Sequence, residues 1–172
     1  MEQADPAPRR QFAAQAVNAA RTVTGTNLTM SQMADQKASI LMGATFLVFT
    51  ITVGQVGRGH APPALLVLGG FAFVSACFAV SVVMPSISGR RAPGRPNPMF
   101  FGSICQYELD DYVEHMLDNL ASDEAMYRMM FVDVWQNAQV LARKKYRLLG
   151  WAYRSFLAGL VISAGVALAG LI

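Results

Sequence analysis

Three long stretches without a charged residue dominate this chain of 172 residues. They cover residues 38–56, 64–84 and 155–172. A helix needs about 20 apolar residues to cross about 30 Å of hydrocarbon. A soluble helix of this length normally carries a polar face, and residues 65–74 have none. We therefore predict an all-α membrane protein with three transmembrane helices.

Composition excludes most enzyme folds. Hydrophobic residues make up 53% of the chain, charged residues only 15%, and the mean hydropathy is +0.33. A soluble domain carries about 25% charged residues, and little chain is left beside three spans for a Rossmann, barrel or kinase core. The balance of 14 Lys and Arg against 11 Asp and Glu is too even to indicate nucleic acid. We expect no nucleic-acid partner.

The basic residues predict the orientation of the spans. The loop at 57–63 contains one of them, Arg58, and the other 13 lie on the opposite side of the membrane. Positive charge near span ends stays in the cytoplasm. We expect a cytoplasmic N terminus and, after three spans, a C terminus on the outer face.

Residues 104–147 show amphipathic periodicity and predict a cytosolic helical hairpin, which packs on the N-terminal helix or on another copy of the chain. No Pro or Gly interrupts residues 122–149, so the second hairpin helix is expected to continue into the third span. The N-terminal arm likewise continues into the first span. The predicted segments are an N-terminal helical arm 1–37, spans 38–56, 64–84 and 148–172, an outer loop 57–63, a basic linker 85–103 and the hairpin 104–147.

The sequence offers no catalytic constellation. It has no Gly-rich phosphate loop, no paired Cys or His at metal spacing and no Ser-His-Asp arrangement. We expect no enzyme activity, no catalytic residue, no metal and no cofactor. Seven acids within residues 108–124 are interpreted as the solvated face of a helix, with a divalent-cation site as the alternative.

Three groups are candidates for ligand binding. Asp35 and Lys37 at the mouth of the first span either mark the interface or bind a ligand. Residues 97–102 either cap the helical core, insert into lipid or form a pocket in which a base stacks. The basic run after Asp133 is a topology signal and also the densest place to hold a phosphate. The candidate residues are Asp35, Lys37, Asn97, Phe101, Asp133, Lys144, Lys145, Tyr146 and Arg147.

Two features inside the spans suggest contacts within the membrane. Small residues such as Gly69 and Gly159 allow helices to approach closely in lipid. Polar residues in the first span are candidates to line a water path in an oligomer; they are Thr45, Thr50, Thr52 and Gln55.

Three blocks of sequence resemble the transmembrane effectors of Pycsar, the bacterial pyrimidine-cyclase antiphage system. Ala34-Asp35-Gln36-Lys37-Ala38 is similar to that family's "ADxKA" opening, and residues 97–102 resemble its "NxLFFG"-type segment. Residues 133–138 and 144–153 resemble its third block, an Asp followed by "LxxKYxxLxxAY". The blocks occur in the family's order between about residues 29 and 160.

The resemblance implies an antiphage effector of the bacterial inner membrane. Such an effector senses cyclic UMP or cyclic CMP from a partner cyclase and then impairs the membrane, which stops growth before the phage matures. The implied partners are this activating nucleotide, membrane lipid and further copies of the chain. The alternative is a structural membrane anchor or assembly protein whose hairpin binds a protein partner.

Overall fold

A computed structural model describes residues 11–84 and 96–170. The protein is 85% helical and has no strand in these residues, which confirms the all-α class. The helices are α1 Ala16–Gly57, α2 Pro63–Val83, α3 Phe101–Ile104, α4 Leu109–Leu120, α5 Asp123–Val140 and α6 Arg147–Ala169, with a π-helical segment, Leu141–Tyr146, between α5 and α6.

Three helical runs are long and apolar enough to cross a membrane. They are α1, α2 and the uninterrupted run from Asp123 to Ala169. The predicted long helices that continue into the first and third spans are therefore confirmed. Between α1 and α2 the chain turns at Gly59, whose φ of 72° suits a residue without a Cβ. Pro63 then opens α2, where a missing N–H costs nothing.

The chain forms two compact units. Residues 28–84 and 139–170 make up the unit that holds the three spans, which we call the membrane unit. Residues 11–27 and 96–138 make up the small unit. Residues 85–95, which form most of the predicted basic linker, lie outside the described residues, as do residues 1–10 of the arm and residues 171–172.

Small side chains let the helices of the membrane unit pack closely. Buried alanines contribute to both of its apolar clusters. One cluster contains Ala34, Ala38, Val82, Leu141 and Leu149, and the other contains Leu41, Ala79 and Ala152. A Cβ on Gly69 would lie 2.5 Å from the Thr52 methyl group, and one on Gly159 would collide with Phe71. Glycine is therefore required where α2 meets α1 and where α6 meets α2.

Hydroxyl groups inside the spans donate to backbone carbonyls of the same chain. Thr45 donates to the Leu41 carbonyl at 2.9 Å, and Ser75 of α2 donates to the Ala152 carbonyl of α6 at 2.7 Å. Thr45 and Thr52 are buried within the chain, so our expectation that they line a water path is wrong. A hydroxyl in hydrocarbon needs a hydrogen-bond acceptor, and the nearest carbonyls supply it.

The small unit packs α5 against the beginning of α1 and against the residues that precede it. The Phe12 and Tyr127 rings lie 4.7 Å apart, and the Asn27 amide donates to the Val134 carbonyl at 3.1 Å. The hairpin thus contacts the N-terminal helix, one of the two packing arrangements that the sequence left open.

The Ser122 hydroxyl accepts the Ala125 N–H at 3.2 Å and caps the start of α5.

Candidate functional site

The most polar cluster of the membrane unit is centred on Lys145. Its Nζ donates to both carboxylate oxygens of Asp35, at 2.7 and 2.8 Å, and to the Ser31 hydroxyl at 2.8 Å. The Lys145 side chain is 17% exposed and that of Asp35 is 37% exposed. An ammonium has three N–H donors, so these three acceptors occupy all of them.

The local sequence explains how this cluster forms. Ser31 and Asp35 are four residues apart on α1, so both point from the same face of the helix. Lys145 lies in the π-helical segment, whose wider turn shifts the side chains of the following residues relative to a regular α-helix. Single-turn π-helical segments occur frequently at functional sites.

Further cations of the membrane unit belong to the predicted site. Lys37 and Arg147 are exposed, and Lys144 is half-buried. The Tyr146 hydroxyl lies 4.0 Å from the Met30 sulfur, at the limit of a weak hydrogen bond. Lys37, Lys144 and Arg147 therefore supply positive charge that an anion can reach, in addition to the paired Lys145.

In the small unit, Asn97 fixes the segment that precedes α3. Its amide nitrogen donates to the Met129 carbonyl at 3.1 Å and lies 3.4 Å from the Gln136 side-chain oxygen. Its own side-chain oxygen accepts the Met99 N–H at 3.1 Å, which closes a turn. Asn97 is 6% exposed, so in this structure it stabilises the small unit.

The two neighbouring phenylalanines have opposite environments. Phe100 is 6% exposed and belongs to the core of the small unit. Phe101 is 74% exposed and lies at the start of α3. Of the two, only Phe101 presents an aromatic face on which a base can stack.

Asp133 is a buried carboxyl on α5, outside the predicted spans 38–56, 64–84 and 148–172. Its Oδ1 accepts the Asn137 amide at 3.0 Å. Burial raises the pKa of Asp133 because it penalises the charged form, and the hydrogen bond from Asn137 partly opposes this rise. A buried carboxyl of this kind is either a ligand contact or a polar element of the core.

The structure thus distributes the predicted site residues between the two units. The small unit holds Asn97, Phe101 and Asp133, and the membrane unit holds Asp35, Lys37, Lys144, Lys145, Tyr146 and Arg147. Within the membrane unit it joins Asp35 to Lys145 directly. Among the described residues, no group of three or more His, Cys, Asp or Glu is placed to hold a metal ion.

Two polar residues at these contacts are not among the predicted site residues. Ser31 contacts Lys145, and the signal for it was its position one helical turn before Asp35. Gln136 lies next to Asn97 and is 2% exposed. Nothing in its sequence neighbourhood distinguished it from a solvent-facing glutamine.

The described residues form an all-helical protein with three helices long and apolar enough to span a membrane, together with a second, small helical unit. The family model of the Pycsar effector protein domain matches residues 18–172. The chain therefore belongs to the Pycsar effector family, which makes it an effector of antiphage defence linked to a cyclic nucleotide signal. Comparison with curated proteins and with solved structures gives no match.

Proposed function

We propose that this protein is a nucleotide-gated effector of the bacterial inner membrane. A cyclic pyrimidine nucleotide, cyclic UMP or cyclic CMP, binds it after phage infection and switches it from a silent to a membrane-damaging state. Its N terminus lies in the cytoplasm and its C terminus in the periplasm. The protein acts by binding and by perturbing lipid, without catalysing a reaction, and it needs no metal or other cofactor.

The observation that carries this proposal is the contact between Lys145 and Asp35. This contact holds the basic π-helical segment against α1. The segment and α1 continue into two different spans, so the contact links these two spans. The neighbouring cations Lys144 and Arg147 supply further donors for a phosphate. A phosphate monoanion at this segment would compete with the Asp35 carboxylate for Lys145.

This competition provides a gating mechanism. In the resting state Asp35 neutralises Lys145 and holds α1 against the π-helical segment. When a nucleotide phosphate binds Lys145 in place of Asp35, the Asp35 carboxylate loses its ion pair. The contact between α1 and the π-helical segment is then broken. A ligand shifts such an equilibrium only by its differential affinity for the two states, and the exchange of one anion for another supplies that difference.

Co-expression with a pyrimidine cyclase in bacteria tests the proposal. We expect growth arrest and entry of a membrane-impermeant dye when the cyclase is active, and neither with an inactive cyclase. Lys145→Ala removes both the contact with Asp35 and the cation that the nucleotide phosphate would bind, so dye entry in this variant should no longer depend on cyclase activity. Arg128→Ala, which changes an exposed cation of the small unit, should leave dye entry unchanged.

Two results would contradict the proposal. One is dye entry in the natural protein that does not depend on cyclase activity, which indicates a constitutive effect of overexpression. The other is the absence of dye entry at confirmed expression of both proteins, which favours the structural anchor. Expression of each variant is checked by immunoblot of the membrane fraction.

A further inference from the structure

We propose that the hydroxyl group of Ser31 binds the phosphate of the activating nucleotide together with Lys145. Ser31 Oγ lies 2.8 Å from Lys145 Nζ, and Asp35 contacts the same ammonium with both of its carboxylate oxygens. The inference rests on the proposed function. It names the group on α1 that holds the nucleotide once Asp35 is displaced.

The orientation of the Ser31 hydroxyl is unusual for α1. Seven other hydroxyl groups of this helix donate to the backbone carbonyl four residues before them, as hydroxyl groups in helices commonly do. They are those of Thr22, Thr24, Thr26, Ser39, Thr45, Thr50 and Thr52. Within residues 11–84 and 96–170, the Ser31 hydroxyl donates to no acceptor and accepts a hydrogen bond from Lys145. Its hydrogen can therefore be donated to a group that approaches Lys145.

A phosphodiester monoanion fits this pair of groups. It has two charged oxygens on one phosphorus atom, so one oxygen can accept from Lys145 while the other accepts from Ser31. The Asp35 carboxylate directs both of its oxygens to Lys145, and neither accepts from Ser31. A hydroxyl has one hydrogen to donate, and its bond to a charged oxygen is stronger than a bond to a neutral one. Ser31 therefore favours the phosphate over the carboxylate.

This assignment is consistent with the proposed gating. Ser31 is half-buried and lies one helical turn before Asp35 on α1. When the phosphate binds, it lies between Ser31 and Lys145, and the direct ion pair between Lys145 and Asp35 is lost. The exchange thus changes the spacing between α1 and the π-helical segment while both elements bind the nucleotide.

Calorimetric titration of the detergent-purified full chain with cyclic UMP and with cyclic CMP tests this inference. Ser31→Ala removes the donor and should weaken binding of the activating nucleotide by at least about tenfold, as expected for a hydrogen bond to a charged group. Ser31→Thr keeps the hydroxyl and should bind as the natural protein does. The matched control is Ser39→Ala, because Ser39 is an exposed serine of α1 whose hydroxyl donates within its own helix. Its affinity should be unchanged.

The sign of the effect separates a phosphate ligand from a residue that only holds Lys145 in the resting state. In the second case Ser31→Ala would release one N–H of the ammonium, and binding would tighten or stay unchanged. Either result, in a variant with a cooperative thermal transition, overturns this inference and leaves the proposed function standing. Absence of binding of both nucleotides to the natural protein would overturn the proposed function and this inference together.

A phospholipid headgroup carries the same phosphodiester chemistry, so the titrations are repeated in micelles that contain phosphatidylglycerol. We expect the loss of affinity in Ser31→Ala to be the same with and without this lipid. A loss that appears only when phosphatidylglycerol is present would assign the Ser31 hydroxyl to the lipid headgroup and overturn the inference.

Discussion

Lys145 and Asp35 lie 110 residues apart in sequence, and the Lys145 ammonium contacts both oxygens of the Asp35 carboxylate. With the Ser31 hydroxyl as third acceptor, every N–H of this ammonium is used. An anion can reach Lys145 only by replacing one of these acceptors. Under the proposed function, Asp35 is therefore the competitor of the nucleotide and not one of its ligands.

The competition predicts opposite effects for the two partners. Asp35→Asn keeps the shape of the side chain but removes the charge that holds Lys145, so the activating nucleotide should bind about tenfold more tightly, equivalent to about 1.4 kcal/mol. Lys145→Ala should abolish binding. Isothermal titration calorimetry on the detergent-purified protein measures both, with Arg128→Ala as the unchanged control. Equal weakening by Asp35→Asn and Lys145→Ala would show that Asp35 contacts the nucleotide directly.

The two adjacent phenylalanines predict different effects on stability. Phe100→Ala removes a buried ring and should lower the free energy of unfolding by about 3–5 kcal/mol. Phe101→Ala removes a ring that is 74% exposed and should change the free energy of unfolding by less than about 0.5 kcal/mol. Thermal unfolding of both variants gives the comparison. An equal loss of stability in the two variants would contradict the different burial of the two rings.

The buried carboxyl of Asp133 should make the stability of the folded protein depend on pH. Because its folded pKa is raised, the folded state favours the protonated carboxyl, and stability is lost as the pH rises from the unfolded value of 3.8 through the folded pKa. Asp133→Asn can still accept the hydrogen bond from Asn137 and carries no charge. The melting temperature of Asp133→Asn minus that of the natural protein should therefore increase as the pH rises from 3.8 to the folded pKa. At higher pH this difference should stay constant.

The matched control for Asp133→Asn is Asp118→Asn, because Asp118 is an exposed acid of α4. Its melting temperature should follow that of the natural protein at every pH. A difference between Asp133→Asn and the natural protein that does not change with pH would contradict the assignment of the effect to the Asp133 carboxyl.

Close packing in the membrane unit predicts a strong position dependence for glycine substitutions. Gly159→Ala places a Cβ against Phe71 and should destabilise the protein by about 1–3 kcal/mol. Gly165 lies on the same helix, and an added Cβ there meets nothing within 4 Å. Gly165→Ala should therefore be neutral. Thermal unfolding in detergent compares them, and equal melting temperatures would contradict the contact between α6 and α2.

The spans were predictable because hydrocarbon imposes a simple rule on sequence. A stretch such as 64–84 has one physical interpretation, since no soluble helix is apolar on every face. The uninterrupted run from Asp123 to Ala169 was equally evident, because it contains no residue that ends a helix before Gly150. The π-helical segment was not predictable, since its residues also suit a regular α-helix.

The contacts within the candidate site were harder to predict from the sequence. Asp35 and Lys145 were each recognised as candidates, but a pairing across 110 residues depends on tertiary packing. Thr45 and Thr52 were misplaced for a similar reason. The sequence shows a polar face on the first span, but not whether that face turns toward its own chain or toward a neighbour.

The most direct test of nucleotide gating is equilibrium binding of cyclic UMP, cyclic CMP, cyclic AMP and cyclic GMP to the purified full-length chain in detergent. The proposed function predicts tight and selective binding of one of the two pyrimidine nucleotides, and its loss in Lys145→Ala. Absence of binding for all four nucleotides, in a sample with a cooperative thermal transition, would contradict direct sensing and favour the structural anchor.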